Sequence, residues 1–226
     1  MIYSARCGHL ATKRVEVLAD TQYEMKGIDL QQAVRVLKGG GVVAIPTDTL
    51  YGLAADAFNL AALDRVYDIK GRPHDLALPV LVSGWEQVAS VAENLPRQAQ
   101  VVAERFWPGA LTLVVAKAAG LPDRLTGGGA TVAVRVADHP APMKLIDGLG
   151  GPITGTSANI SGGADPSTVA ELSDQIGSRV GHVFNEGPAP KGTASTVVDI
   201  TSGQPKLLRE GAIPFEQVLR TWERAT

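Results

Sequence analysis

A mixed α/β fold in one main domain is predicted by three features of the 226-residue sequence. Short apolar runs bounded by glycine or proline read as buried strands, and segments with helical apolar spacing between caps read as helices. Several of the strands follow one another with no helix between them, which favours a mixed sheet over a strictly parallel, doubly wound one. Residues 1–26 have mixed polarity and weak periodicity, so they are set apart as an N-terminal extension of the domain at 27–226.

The first helix is expected over residues 30–38, where Leu30, Ala33, Val34 and Leu37 share a face, with Asp29 as its cap and Gly39 at its end. Val42 to Ile45 form a strand stopped by Pro46. Asn59 opens a second helix through Leu60, Leu63, Val66, Tyr67 and Ile69, closed by Gly71 and Pro73, so that Lys70 and Arg72 lie at its exit. A strand at 78–82 leads to Ser83 and Glu86, spaced as a capping box for a helix through Val91, and Pro96 begins another that ends near Phe106. Apolar runs at 111–115, 132–136, 153–156, 197–200 and 206–208 supply further strands, interleaved with helical patterns near 143–146, 169–176 and 215–222.

Composition excludes several classes. A formal charge of −2 argues against an electrostatic nucleic-acid binder, which carries a basic excess. No apolar run approaches the roughly 20 residues that span a bilayer, and no signal-peptide core is present, so a soluble cytoplasmic protein is expected. Cys7 is a single cysteine, and the Cys7-Gly8-His9 sequence offers no zinc spacing. There is no GxxxxGK[ST] loop, and Gly39-Gly40-Gly41 precedes a strand, whereas a dinucleotide-binding turn follows one. Without a GxSxG elbow or a triad pattern around His9, His74, His139 or His182, a covalent hydrolase mechanism is not indicated.

Polar clusters at strand ends and turns remain. They are Pro46-Thr47-Asp48-Thr49-Leu50-Tyr51-Gly52, Lys70-Gly71-Arg72-Pro73, Thr131 to Arg135, Thr156-Ser157-Ala158-Asn159, Ser195-Thr196 and Leu208-Arg209. Each has a local reading: Thr47 and Asp48 as turn caps, Lys70 complementing a helix dipole, Ser157 and Asn159 satisfying nearby backbone. Arg135 ends an alternating strand, where a buried charge needs an anionic partner or water. Taken together, two cations two residues apart at a helix exit suit phosphate oxygens, and a distant arginine suits a carboxylate by bidentate pairing.

The order of Lys70-Gly71-Arg72 followed far downstream by Ser157-Ala158-Asn159 resembles the signature of the YrdC-like family of L-threonylcarbamoyladenylate synthases, over about residues 39–211. The resemblance implies an open, twisted mixed α/β sheet with flanking helices around a large, positively charged cavity that binds ATP beside L-threonine. It implies that Thr47, Arg135 and Ser195 hold L-threonine, with Arg135 on the carboxylate. Lys70 and Arg72 would be the catalytic pair on the phosphates, with Mg²⁺ brought by ATP, and Thr131, Ser157, Asn159 and Arg209 would line the rest of the nucleotide site. Thr168 is assigned there as well, although Thr168 with Glu171 is equally a capping box. The stretch Leu76-Ala77-Leu78-Pro79 departs from the family pattern after Asp75, and the length resembles the short form without an additional C-terminal domain.

The implied reaction consumes L-threonine, bicarbonate and ATP, and its product feeds threonylcarbamoyladenosine formation in tRNA, with a downstream transferase complex as the expected partner. A carbamoyl-adenylate-forming module is the second enzyme reading, set apart by carbamoyl phosphate turnover. An RNA-binding module, with tRNA on the same concavity, is the third. Against it stand the negative charge and an aromatic content of 5%, which leaves few stacking platforms.

Overall fold

The computed structural model describes residues 29–225; the extension at 1–26, with Cys7 and His9, lies outside the described residues. Helix α1 covers 29–38. It is followed by β1 (Val43–Pro46), β2 (Tyr51–Ala54), α2 (Leu60–Lys70), β3 (Val80–Leu81), α3 (Trp85–Val88), α4 (Arg97–Phe106), β4 (Leu111–Ala116), α5 (Asp123–Thr126) and β5 (Thr131–Arg135). The chain continues through α6 (Pro140–Leu149), β6 (Ile153–Thr154), β7 (Thr156–Ser157), α7 (Val169–Leu172), a π-helical turn (Ser173–Gly177), β8 (His182–Val183), β9 (Thr196–Asp199), β10 (Lys206–Arg209) and α8 (Phe215–Arg224).

The strands form two mixed sheets. One has the order β7-β2-β1-β8, and the other β10-β9-β4-β5-β3-β6. In the larger sheet β4 pairs antiparallel with β5 and parallel with β9, and β3 pairs parallel with β5 and antiparallel with β6. The mixed pairing follows from direct strand-to-strand connections, as the sequence suggested, but the strands close two sheets where one was expected.

Gly155 carries the chain from one sheet to the other, between β6 and β7. A Cβ at this position would lie 2.6 Å from Leu81 Cγ, so only glycine permits so close a crossing. Thr154 fastens the crossing: its hydroxyl donates to Leu53 O at 2.8 Å and accepts from Ala55 N at 3.0 Å. Apolar side chains fill two buried clusters. The smaller seats Ala33 and Leu37 of α1 against Val43, Ile45, Leu145 and Phe184.

Local rules explain most helix ends. Asn59 caps α2 by accepting from Ala62 N at 3.2 Å, and Gly71 closes it in the left-handed conformation at φ 57°. Asn59→Ala should therefore lower stability by about 1 kcal/mol. The expected reading is a lower urea midpoint with unchanged slope.

Two cap expectations are corrected. Asp29 is itself helical, and its carboxylate is spent on His182 Nε2 of β8 at 2.6 Å. The capping box of Ser83 and Glu86 does not form: Gly84 precedes α3 without a side-chain cap, and Gln87 Oε1 reaches back to Ser83 N at 2.9 Å. The run at 153–156 is cut by the crossing at Gly155, while α5, β2 and β8 arise where no element was expected. No helix among the described residues is long and apolar enough to cross a membrane.

Candidate functional site

A cleft of about 240 Å³ opens between the sheets and gathers six of the predicted residues: Thr47, Arg72, Arg135, Ser157, Ser195 and Arg209. Larger hollows of about 530 and 900 Å³ elsewhere contain none of the predicted residues. The cleft is more compact than the large cavity expected, below the roughly 300–1,000 Å³ typical of small-molecule sites. Its lining carries three guanidiniums, Arg72, Arg135 and Arg209, against one lining carboxylate, Asp165.

One wall is the turn between β1 and β2. Pro46 ends β1, and Thr47 closes the turn: its amide and hydroxyl both donate to Leu50 O, at 3.1 and 2.7 Å. A threonine hydroxyl has one proton. Because that of Thr47 goes to Leu50 O, Thr49 must be the donor in the 3.0 Å contact between the two hydroxyls. Thr49 accepts in turn from Arg135 Nη1 at 2.9 Å, so the chain of donors runs from Arg135 through Thr49 and Thr47 to the backbone.

Arg135 stands at the end of β5, only 7% exposed, as is Asp48. Its Nε donates to Gly109 O at 2.8 Å and its Nη2 to the Asp48 carboxylate, which also accepts from Asp138 N at 3.2 Å. Burial lowers the guanidinium pKa, and the neighbouring Arg209 lowers it further, while Asp48 works in the opposite direction. The anionic partner that a buried Arg135 demanded is thus Asp48, whose place in the sequence marks it only as a turn residue.

In the same cleft Arg209 grips Ser195. Its Nε and Nη2 donate to Ser195 O at 3.2 and 2.9 Å, and Nη2 also reaches Ser195 Oγ at 3.2 Å. Thr112 Oγ1 meets Ser195 Oγ at 2.8 Å from β4. Thr112 was missed, although a hydroxyl inside the apolar run 111–115 was a visible signal.

Lys70 ends α2 and is buried with 1% exposure. All three ammonium hydrogens have acceptors at the end of β7 and in the turn after it: Ser157 O at 2.5 Å, Asn159 O at 2.9 Å and Asn159 Oδ1 at 2.8 Å. Ser157 Oγ donates to the same Asn159 Oδ1 at 2.8 Å, and Asn159 Nδ2 to Gly163 O at 2.7 Å. The Lys and Ser-x-Asn signatures, 87 residues apart, therefore form one hydrogen-bonded knot. Burial and the Arg72 charge lower the Lys70 pKa to about 8, against a raising influence from Asp165.

Arg72, two residues further and past the end of α2, is steadied by Ala77 O at 3.0 Å and Leu76 O at 3.4 Å. The stretch that departs from the family pattern thus holds Arg72 through carbonyls, which any side chain leaves available. Lys70 and Asn159 stand behind Ser157 and do not line the cleft; neither do Thr131 and Thr168. Thr168 caps α7, accepting from Glu171 N at 3.1 Å.

Buried hydroxyls, three arginines and a knotted turn between two mixed sheets make a cleft whose chemistry suits a small anionic ligand. The family model Sua5_yciO_yrdC, described as telomere recombination, matches residues 35–211, and the chain belongs to that family. A relative in Pyrococcus abyssi named threonylcarbamoyl-AMP synthase is 39% identical over 186 residues, 82% of this chain and 55% of its own length. A putative threonylcarbamoyl-AMP synthase of Mycobacterium tuberculosis strain H37Rv is 36% identical over 88% of this chain and 91% of its own. The crystal structure of P. abyssi Sua5 complexed with L-threonine superposes with a TM-score of 0.81 at 37% identity, covering 85% of this chain and 56% of that one. The chain thus spans little more than half the length of the P. abyssi relative.

Proposed function

We propose that this chain is an L-threonylcarbamoyladenylate synthase, a nucleotidyltransferase that joins L-threonine, bicarbonate and ATP into threonylcarbamoyl-AMP and releases pyrophosphate. The observation that carries the reading is the cleft itself, whose lining gathers Arg135 and Ser195 with Arg72 and Ser157. It is supported by relatives named for this activity and by the structural likeness to a threonine complex. In this reading Arg135, Ser195 and the Thr47 turn hold L-threonine, while Arg72, Ser157 and Arg209 meet the nucleotide. Lys70 and Asn159 act on the nucleotide from behind, through the turn they brace. Thr131 and Thr168 retain at most an outlying contact.

The threonine amine attacks carbon dioxide, free or released from bicarbonate, losing a proton and forming an N–C bond. The resulting carbamate oxygen attacks the α-phosphorus of ATP as the bond to pyrophosphate breaks. No protein nucleophile is needed. The chain's work is to align three reactants and to meet charge growing on the departing phosphates with Arg72. Mg²⁺ usually needs only one or two carboxylates besides substrate phosphates, and Asp165 is the lining carboxylate suited to it. When bound with ATP, Mg²⁺ neutralises phosphate charge.

The product, by its chemistry, supplies threonylcarbamoyladenosine formation on tRNA through a downstream transferase, in the cytoplasm. The test is pyrophosphate release from ATP by the purified protein with Mg²⁺ and bicarbonate, with and without L-threonine. Threonine-dependent release, together with the adenylate seen by mass spectrometry, is expected. Release that ignores threonine, or none at all, would refute the reading.

A further inference from the structure

A guanidinium has five N–H donors. In Arg135 one on Nε is taken by Gly109 O, one on Nη1 by Thr49 Oγ1 and one on Nη2 by Asp48, leaving one hydrogen on each terminal nitrogen. A planar fork held at three points cannot rotate without breaking a bond.

The holders are themselves held. Asp48 accepts from Asp138 N at 3.2 Å, and Thr49 has its lone pair turned to Arg135 because its proton goes to Thr47. Behind the turn, Lys191 N and Gly192 N donate to Asp48 O and Thr49 O at 3.4 and 2.9 Å. The two free hydrogens therefore have one orientation before any ligand arrives, which removes an ordering cost from binding.

Charge points the same way. Asp48 and Arg135 pair, and the cleft lining around them carries Arg72 and Arg209 against Asp165 alone, a net positive surround for an incoming carboxylate. We propose that Asp48, assisted by Thr49, is the positioning residue that presents Arg135 to the carboxylate of the amino-acid substrate. It thereby sets the preference for that substrate over an analogue lacking the carboxylate. The inference rests on the function proposed above.

Calorimetric titration with L-threonine, L-threoninol and ATP tests it, on the wild type and on Asp48→Ala, Asp48→Asn and Thr49→Val, with thermal unfolding as the check on folding. Threoninol keeps the amine and the hydroxyl but lacks the carboxylate. The wild type should prefer threonine by roughly tenfold or more, the size expected for charge-assisted hydrogen bonds. Asp48→Ala should erase that preference while leaving threoninol and ATP binding unchanged. Asp48→Asn, whose amide oxygen still accepts from Arg135 and Asp138, should recover part of it. Thr49→Val buries no unpaired charge and should show a smaller loss in the same direction, so it carries the test if Asp48→Ala does not fold.

A preference intact in Asp48→Ala or, failing that protein, in Thr49→Val overturns the proposal. So does a parallel loss of all three ligands, or Asp48→Asn behaving like Asp48→Ala. A wild type that binds no threonine, or binds it no better than threoninol, refutes the functional reading as well. A wild-type preference that survives the substitutions refutes only the role of Asp48.

Discussion

Arg135→Ala should lower stability by about 3–5 kcal/mol and abolish threonine-dependent turnover, because it leaves the Asp48 carboxylate buried without its cation. Both partners are only 7% exposed, so solvent screening does little to soften the loss. The penalty belongs to the orphaned charge more than to the pair, and that can be separated. Asp48→Ala combined with Arg135→Ala should recover much of the stability, measured by denaturant titration, while activity stays absent. A double variant no more stable than Arg135→Ala would show that the pair's contribution lies elsewhere than in charge burial.

Lys70→Met should be nearly as damaging to activity, by a different route. It deprives Ser157 O, Asn159 O and Asn159 Oδ1 of their shared donor, so the turn that presents Ser157 relaxes. A misplacement of about 1 Å at a positioned reactant can cost about 10²-fold in rate. The same knot predicts an alkaline limit: a neutral amine has two hydrogens for three acceptors, so activity should fall as pH rises through about 8.

Unfolding would not explain that fall. Lys70 in the folded chain releases its proton near 8, while in the unfolded chain it keeps it up to its ordinary value of 10.5. The unfolded state then binds more protons between these values, so this group adds stability as pH rises there. Because the Arg72 charge helps to lower the Lys70 pKa and Asp165 opposes it, Arg72→Gln should move the alkaline limb up and Asp165→Asn should move it down. Pyrophosphate release measured against pH would show both shifts, and a limb that stays in place in both variants would exclude Lys70 as its source.

Much of the fold was legible because local signals agreed with tertiary ones. Asn59, Gly71 and Pro96 mark helix ends through backbone chemistry that needs no partner elsewhere. The failures share one cause. Asp29 and Ser83 looked like caps, but a partner distant or adjacent, His182 or Gln87, competed for the same groups. β2 was hidden inside a turn motif, since Tyr51 and Gly52 gain their strand character from pairing with β1 and β7.

The candidate site was legible in part: six of the predicted residues line the cleft, but the bonds their side chains make were not readable. Lys70 looked like a free cation, and it is the donor of a closed knot; Thr47 looked like a substrate ligand, and its hydroxyl proton is spent on its own turn. Spacing in a sequence shows which polar groups recur together, whereas which of their hydrogens remain free depends on neighbours that the fold supplies. Asp48 and Thr112 were missed for that reason.

The crossing at Gly155 also constrains motion. Two sheets joined by the backbone at 155 and tied beside it by the Thr154 hydroxyl are held to each other at that point, so their relative motion is confined to pivoting about it. In the proposed function a nucleotide would enter past the loop segments that carry Arg72 and Asp165, which line the cleft outside the strands.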